Sequence, residues 1–204
     1  MIRRWPALAA LVALAGSASP AVVAAPGFAT DLHPGDVVLR AGRGHEALAV
    51  SLASGAQLTH VGLVTGFDAA GQPIIIHADP QGGDAAVVRA EPLADFAAPA
   101  VASAVQVWRP RYASSASRTR ASAFATAAAQ RLAGFDSQFE MATPDRLYCS
   151  ELIIRALDAG GYRWQQRPAA VAVPLMAEPI VMPAALVPAG GFVQVGGWSV
   201  SPAG

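Results

Sequence analysis

Cysteine and histidine are the scarce residue types in this chain, and they are types that carry nucleophilic chemistry. The 204 residues include one cysteine, Cys149, and four histidines. Cys149 lies at the start of a predicted helix over residues 148–159, where unpaired backbone amides and the positive end of the helix dipole favour the reactive thiolate. A free cysteine is also commonly a small buried apolar residue, so the position of Cys149 alone leaves chemistry and packing equally open.

Two histidines lie on the two strands of a predicted β-hairpin. His60 and His77 stand at the outer ends of two apolar runs that are separated by a turn at residues 68–71. If His77 pairs with Gly62, both imidazoles emerge on one face of the hairpin as diagonal neighbours. Direct pairing of the two histidines gives the same face, whereas a register shifted by one residue separates them. Gly62 also removes a side chain where two rings must approach.

Such a histidine pair suits a nucleophile system. His60 takes the proton of Cys149 or stabilises its thiolate as an ion pair, and His77 fixes the tautomer and orientation of His60. Asp79 points to the same face and is the alternative orienting residue. A single histidine at a sheet end is more often an ordinary polar residue. The combination with a lone cysteine at a helix start favours nucleophilic catalysis.

Other reaction classes have weaker support in the sequence. A metal site would draw on His45, His60, His77 and Asp79, but none of these residues form a helical i, i+4 pair and no H-E-x-x-H motif occurs. A serine hydrolase is disfavoured because the G-x-S-x-G motif is absent. We therefore expect no metal and no cofactor.

The charge balance and the N-terminal segment indicate which partners and which cellular compartment to expect. Fourteen basic residues balance fourteen acidic ones, so no nucleic-acid partner is expected. Residues 1–25 combine a short basic start with an apolar stretch and predict a secretory signal peptide, cleaved between Ala18 and Ala25. Its apolar core at residues 7–15 is too short to cross a bilayer. We expect a periplasmic or secreted protein with no stable membrane span, one domain over residues 26–204, and a monomer or weak oligomer.

Periodicity and turn residues predict an α+β domain. Short connections between the predicted strands favour a mostly antiparallel sheet. The helix over residues 45–53 has an amphipathic pattern with Leu48 and Leu52 on one face. Predicted strands lie at residues 37–39, 60–67, 73–79, 86–89, 105–108 and 192–195. Predicted helices lie at residues 45–53, 93–96, 115–133 and 148–159.

Four short motifs together resemble one known family. They are GDVV at residues 35–38, THVGLV at 59–64, FDSQF at 135–139 and YCSEL at 148–152. In this order they are similar to the YiiX/YaeF-like permuted papain-fold amidases, which belong to the NlpC-type cysteine peptidase superfamily. The resemblance implies a circularly permuted papain-like fold in which the histidine strand precedes the cysteine helix and an antiparallel sheet packs against helices.

The resemblance also implies roles for individual residues. Cys149 would be the nucleophile, His60 the base, and His77 the third polar residue, a position where close relatives often have glutamate. Tyr148 would line the site or help to bind the oxyanion. Asp36, Asp136 and Glu151 would support the structure.

The substrate stays open at this point. Export favours a cell-envelope amide, such as a peptide or a peptidoglycan-type bond. Related permuted folds include acyltransferases that act on lipids, so a lipid ester or amide hydrolase or an acyltransferase is the alternative. Two non-hydrolytic alternatives remain: a binding module that has lost activity, and a thiol sensor in which Cys149 is reversibly oxidised.

Overall fold

The computed structural model describes residues 22–24, 31–81, 85–111, 113–141, 143–188 and 191–200. Apart from residues 22–24, the predicted signal peptide lies outside the described residues. The strands are β1 (Val22–Ala24), β2 (Val37–Gly42), β3 (His60–Phe67), β4 (Pro73–Ala78), β5 (Val88–Pro92), β6 (Ala102–Pro110), β7 (Gly134–Phe135), β8 (Arg146–Leu147), β9 (Ala170–Val171), β10 (Ile180–Val181) and β11 (Phe192–Val200). The helices are α1 (His45–Ser54), α2 (Leu93–Phe96), α3 (Ser115–Gln130) and α4 (Cys149–Ala159), and Pro183–Ala185 form a 3-10 turn.

Seven of the strands in the described part of the chain form one antiparallel sheet. Their order is β1-β11-β6-β2-β3-β4-β5, and β7 pairs with β8 and β9 with β10 in two small ribbons. Sequence neighbours β2, β3, β4 and β5 lie side by side, and α1 lies in the connection between β2 and β3. The predicted α+β class with an antiparallel sheet is confirmed.

One face of the sheet packs against α3 and α4. The predicted apolar stripe of α4 is buried there: Leu152, Ile153, Ala156 and Leu157 are between 0 and 3% exposed. They contact alternate residues of β2 and β3, and the buried alanines of α3 let the two helices approach closely. This packing fixes the position of the first turn of α4 against the sheet.

The opposite face carries the second apolar cluster. Phe96, at the end of α2, is fully buried and packs with Val64 and Ile75 of the central strands. Side chains alternate along a strand, so His60 and His77 project to this face, next to Phe96.

Several predicted boundaries differ from the structure. The strand predicted at residues 86–89 is shifted to β5, which continues through Glu91. The hairpin turn has five residues, 68–72, rather than four. The helix predicted over residues 115–133 ends at Gln130, because Leu132 adopts a left-handed conformation with φ of 52°. Its N–H bonds to the carbonyl of Ala129, and that of Ala133 to Ala128, which closes the helix end.

The amphipathic interpretation of α1 was wrong. Leu48 and Leu52 are 59% and 78% exposed, and none of the residues of α1 is buried. The helix begins and ends as predicted, with Gly55 in a left-handed conformation at its C-terminus. Glycine adopts this conformation without steric cost.

The edge strand β1 lies inside the segment predicted as a signal peptide. It pairs with β11 through Val22, Val23 and Ala24. Cleavage at the C-terminal limit of the predicted window would therefore remove β1 from the sheet edge. Among the described residues, no helix is both long and apolar enough to cross a membrane.

Candidate active site

A cavity of about 280 Å³ opens where the start of α4 meets the start of β3. Cys149 and His60 both line it. Its walls come from the end of β2, from α1, and from the segments at residues 79–81 and 135–139. The other lining residues are Arg40, Gly42, Arg43, Glu46, Ala47, Ala49, Val50, Thr59, Asp79, Pro80, Gln81, Val101, Phe135, Ser137 and Phe139.

Cys149 is the first residue of α4 and is buried. Tyr148, in extended conformation, precedes it as the N-terminal cap residue, and its N–H bonds to Glu151 at 3.3 Å. This bond satisfies one of the backbone donors that a helix start leaves free. The helix start is thus held where the thiol of Cys149 lies near the backbone N–H of Val61 on β3.

His60 and His77 form a hydrogen-bonded pair. Nε2 of His60 lies 2.8 Å from Nδ1 of His77, and the rings meet edge to face. Leu63 pairs with Ile76 in the hairpin, which is the register predicted to place the imidazoles as diagonal neighbours. A Cβ on Gly62 would lie 2.5 Å from Ile75, so the absence of a side chain there permits the approach. Nε2 of His60 is thus engaged with His77, and His60 shares the cavity wall with Cys149.

Glu91 continues this chain of polar contacts and was missed in the sequence. Its Oε1 lies 3.0 Å from Nε2 of His77, although the N–H is not aligned with the oxygen. Nη2 of Arg89 forms an ion pair with the other oxygen of Glu91 at 2.9 Å. His77 pairs with Arg89 across the sheet, so Glu91, two residues further along β5, lies diagonally beside His77. The charged alternation of Arg89 and Glu91 was the available signal, but the predicted strand ended too early to include it.

Arg40 is the second residue that sequence reasoning missed. It pairs with His60 across β2 and β3, and its guanidinium lies 4.4 Å from the centre of the Phe96 ring. Nη1 donates to the backbone carbonyl of Phe96 at 2.9 Å. The predicted strand ended at Leu39, one residue short of Arg40.

Asp79, the alternative orienting residue, lines the cavity but contacts other groups. Its Oδ2 accepts a hydrogen bond from Arg89 at 2.6 Å, and its Oδ1 accepts from the N–H of Gln81 at 3.0 Å. The structure therefore places His77, rather than Asp79, on His60.

The remaining predicted site residues lie around the site rather than in it. The hydroxyl of Tyr148 contacts the sulfur of Met141, and Tyr148 is not among the residues that line the cavity, which favours packing over oxyanion binding. Asp36 accepts two hydrogen bonds from Arg109 and so ties β2 to β6. Asp136 accepts from the N–H groups of Gln138 and Glu140 and shapes the loop that borders the cavity.

Burial has the largest effect on the pKa values of His60 and Cys149. It lowers the pKa of His60 well below the usual histidine value, and the charges of His77 and Arg40 act in the same direction. Burial also raises the pKa of the Cys149 thiol, against the opposing effect of the Ser150 hydroxyl and nearby backbone N–H groups. Both shifts favour a neutral thiol beside a neutral imidazole. The thiolate expected from the helix start alone is therefore outweighed by desolvation.

Glu91 and His77 are shifted together. Burial lowers the pKa of His77, while its contact with Glu91 opposes that shift. Burial raises the pKa of Glu91, but the contact with His77 and the charges of Arg89 and Arg40 outweigh it, so that the pKa is lowered. Glu91 is accordingly an ionised carboxylate whose Oε1 lies 3.0 Å from Nε2 of His77.

The metal set considered from the sequence does not assemble. Across the described ranges, no group of three or more histidine, cysteine, aspartate or glutamate residues could hold a metal ion. His45 lies exposed at the start of α1 and is not part of the cavity.

A family model described as "Permuted papain-like amidase enzyme, YaeF/YiiX, C92 family" matches residues 31–174. The chain belongs to this family. The match spans all four motifs, from GDVV to YCSEL, together with the cavity and both histidines. Membership of the YaeF/YiiX amidases makes a cysteine hydrolase the activity expected at the family level.

A solved structure of a YaeF/YiiX relative shows the same fold. It is described as metalloprotein yiiX from Escherichia coli O157:H7, and it superposes with a TM-score of 0.62 at 21% identity. The similarity covers 80% of this chain and 96% of that one. The predicted permuted papain-like fold is thereby confirmed. No curated protein matches the chain.

Proposed function

We propose that the chain is an exported cysteine amidase in which Cys149 is the nucleophile, His60 the base and His77 the orienting residue. The observation that supports this most directly is the 2.8 Å contact between Nε2 of His60 and Nδ1 of His77, at a cavity that Cys149 also lines. Glu91 extends the contact and holds the tautomer of His77. A cysteine, a histidine and a further polar chain form the arrangement that activates a thiol nucleophile.

The reaction begins from the neutral pair. As Sγ of Cys149 bonds to the amide carbonyl carbon, its proton passes to Nδ1 of His60. His60 then gives the proton to the departing amine as the C–N bond breaks and a thioester forms. Water attacks the thioester carbon and loses a proton to His60, and breakage of the C–S bond releases the acid and restores the Cys149 thiol. The backbone N–H of Cys149, at the start of α4, donates to the oxyanion.

Alkylation of Cys149 tests the pair without a known substrate. Purified wild type, His60→Ala and His77→Ala are treated with iodoacetamide between pH 5 and 10, and intact mass gives the labelling rate. The exposed His33, which lies next to Asp31, supplies the matched control His33→Ala. We expect His60→Ala to label at least about tenfold more slowly at neutral pH, because general bases contribute factors of about 10²–10⁴.

The pH profile tests the starting protonation state. Because burial raises the pKa of Cys149, labelling should climb with pH beyond the neutral range, without the acidic plateau of a preformed ion pair. Equal rates in wild type and His60→Ala would instead identify an inactive binding module. A plateau of the labelling rate at acidic pH that is lost in His60→Ala would instead indicate an ion pair between Cys149 and His60. The proposed roles of both residues would then stand.

A lipid ester or amide is the second candidate substrate. Five apolar side chains of the cavity wall favour it: Ala47, Val50, Val101, Phe135 and Phe139. A series of p-nitrophenyl esters from two to twelve carbons separates the candidates. A rate that rises steadily with chain length supports a lipid acyl group, and a maximum at short chains supports an amide of a small acyl group.

Export is part of the proposal and has its own test. Expression of residues 1–204 in a bacterial host, followed by fractionation and N-terminal sequencing, should give periplasmic protein that starts between residues 19 and 26. Uncleaved protein in the cytoplasm would contradict export without affecting the catalytic pair.

A further inference from the structure

Arg40 is a buried cation at the cavity that contains Cys149. Its side chain is 9% exposed, and its guanidinium lies over the ring of Phe96. An arginine in such a position usually meets a carboxylate in a paired geometry, because transfer of an isolated charge from water is costly.

The contacts of Arg40 leave its guanidinium incompletely hydrogen-bonded. Nη1 donates to the carbonyl of Phe96, which carries no net charge, and Nε is buried without a hydrogen-bond partner. The nearest carboxylate oxygen, Oε1 of Glu91, is 4.0 Å away and lies closer to His77, at 3.0 Å. The other oxygen of Glu91 binds Arg89.

The charges around the cavity balance only when Arg40 is included. Asp79 is paired with Arg89. Glu46 and Arg43 are both exposed at the rim and offset each other. Arg89 is shared between Asp79 and Glu91, so Arg40 balances the remaining carboxylate charge. Of these two arginines, Arg40 is the one that lines the cavity together with Cys149.

We propose that Arg40 binds a carboxylate of the substrate, so that the amidase acts on amides whose acyl or amine part carries a carboxylate near the scissile bond. This inference rests on the function proposed above and adds its substrate class. A planar guanidinium with an unoccupied donor matches a carboxylate, and the apolar wall accommodates the rest of an aliphatic or aromatic group.

A bracing role alone does not account for the position of Arg40. The single bond to the carbonyl of Phe96 needs one donor, which a lysine or a neutral amide would supply without burying a fork of five N–H groups. Arg111 is an example of an arginine with a structural role of this kind. Its Nε donates to the carbonyl of Phe192, but its side chain is exposed and lies away from the cavity.

Two alkylating reagents that differ in charge test the proposal. Cys149 is labelled with iodoacetate and with iodoacetamide, and the ratio of the two rates is compared with the ratio for free cysteine. A second pair, 3-maleimidopropionate and N-ethylmaleimide, places the carboxylate further from sulfur. We expect a ratio about tenfold above that of free cysteine in at least one pair, the size expected for one hydrogen bond to a charged group. The ratio cancels any effect of Arg40 on the reactivity of the thiol itself.

Variants assign the preference to one residue. Arg40→Met should return the ratio to that of free cysteine, Arg40→Lys should retain part of it, and Arg111→Met should leave it unchanged. A wild-type ratio equal to that of free cysteine, or a ratio that survives in Arg40→Met, overturns the proposal. If Arg40→Met does not fold, Arg40→Lys and Arg40→Gln carry the comparison.

Thermal unfolding provides a readout that needs no reactive thiol. At equal ionic strength, propionate at about 100 mM should raise the Tm of wild type by about 2 °C through mass action, and propionamide should not. The shift should vanish in Arg40→Gln. A shift with inorganic phosphate that exceeds the shift with propionate would overturn the carboxylate assignment. Failure of labelling at Cys149 together with a propionate shift would reject the proposed catalysis and keep the binding site.

Discussion

Two carboxylates of low exposure, Asp36 and Glu91, each contact an arginine, and only one of them has aligned hydrogen bonds to both of its oxygens. Asp36 accepts hydrogen bonds from Nε and Nη2 of Arg109 at 2.8 and 2.9 Å and from the N–H of His33 at 2.8 Å. Glu91 shares its two oxygens among His77, Arg89 and the more distant Arg40. The first cluster is closed, with aligned partners on both oxygens. The second is open, because atoms of Arg40, His77 and Glu91 are buried without an aligned partner.

This difference in hydrogen bonding predicts which cluster contributes to stability and which to the reactivity of Cys149. In a closed pair, aligned hydrogen bonds offset part of the free-energy cost of desolvating the charges. An open cluster keeps donors available for a ligand or a proton. The closed pair lies between β2 and β6, away from the cavity, and the open cluster borders it. We therefore expect substitutions in the first to change unfolding and substitutions in the second to change reactivity.

Removal of the closed carboxylate should have the largest effect on folding. Asp36→Ala leaves the part-buried guanidinium of Arg109 without its main partner, and we expect a loss of about 3 kcal/mol in unfolding free energy. Urea unfolding of wild type and variant measures it, with Asp68→Ala in the exposed hairpin turn as the control. Labelling of Cys149 in the folded variant should match wild type. A loss below about 1 kcal/mol would show that the closed pair behaves like a surface salt bridge.

The contacts of Glu151 combine features of the closed and the open cluster, because one of its oxygens has an aligned hydrogen bond and the other does not. It accepts the N–H of Tyr148, and Oε1 lies 3.0 Å from Nη2 of Arg155 without an aligned hydrogen bond. Burial raises its pKa to about 7. The native state thus holds the proton of Glu151 more tightly than the unfolded chain does.

The pH dependence of stability follows from that shift. A raised carboxyl pKa gives stability that is present in acid and is lost as pH rises from about 4.5 to about 7. We expect this group to remove about 3 kcal/mol across that range. The difference in unfolding free energy between wild type and Glu151→Gln should therefore change between pH 5 and pH 8. A pH-independent difference would place the pKa of Glu151 in its ordinary range.

Removal of charge from the open cluster should act on reactivity. Glu91→Gln keeps the shape but weakens the hold on the tautomer of His77, and we expect Cys149 to react with iodoacetamide about tenfold more slowly at pH 7.5. Unfolding free energy should change by less than about 1 kcal/mol, because the open cluster contributes little net stability. A large loss of stability with unchanged labelling would reverse the assignment of the two clusters.

The features that could be predicted from sequence depended on local periodicity. The alternating apolar residues of β3 and β4 fixed which face His60 and His77 share, and the stripe on α4 fixed its buried side. Gly62 marked the close approach of the rings. These signals are local, so they survive without knowledge of the sheet order.

The missed residues depend on tertiary context. Arg40 and Glu91 lie beyond the predicted ends of their strands, because pairing with neighbouring strands, rather than the local residues, sets how far each strand extends. The protonation of Cys149 depends on burial, which a helix start does not report, so desolvation outweighed the dipole. Leu48 and Leu52 show the same limit, because an apolar pattern does not say whether another element covers it.

Substitution of Asp79 is expected to have the smallest effect, because Asp79 contacts the open cluster only through Arg89. Its bond to Arg89 involves a side chain that is 45% exposed, so solvent screens the pair. Asp79→Asn keeps an acceptor for the N–H of Gln81, and we expect labelling of Cys149 within about threefold of wild type, a change of about 0.6 kcal/mol. Asp68→Asn is the matched control in an exposed turn. If Asp79→Asn slowed labelling as much as Glu91→Gln, the proton relay would run through Asp79 and Arg89, and Asp79 would regain the orienting role considered from the sequence.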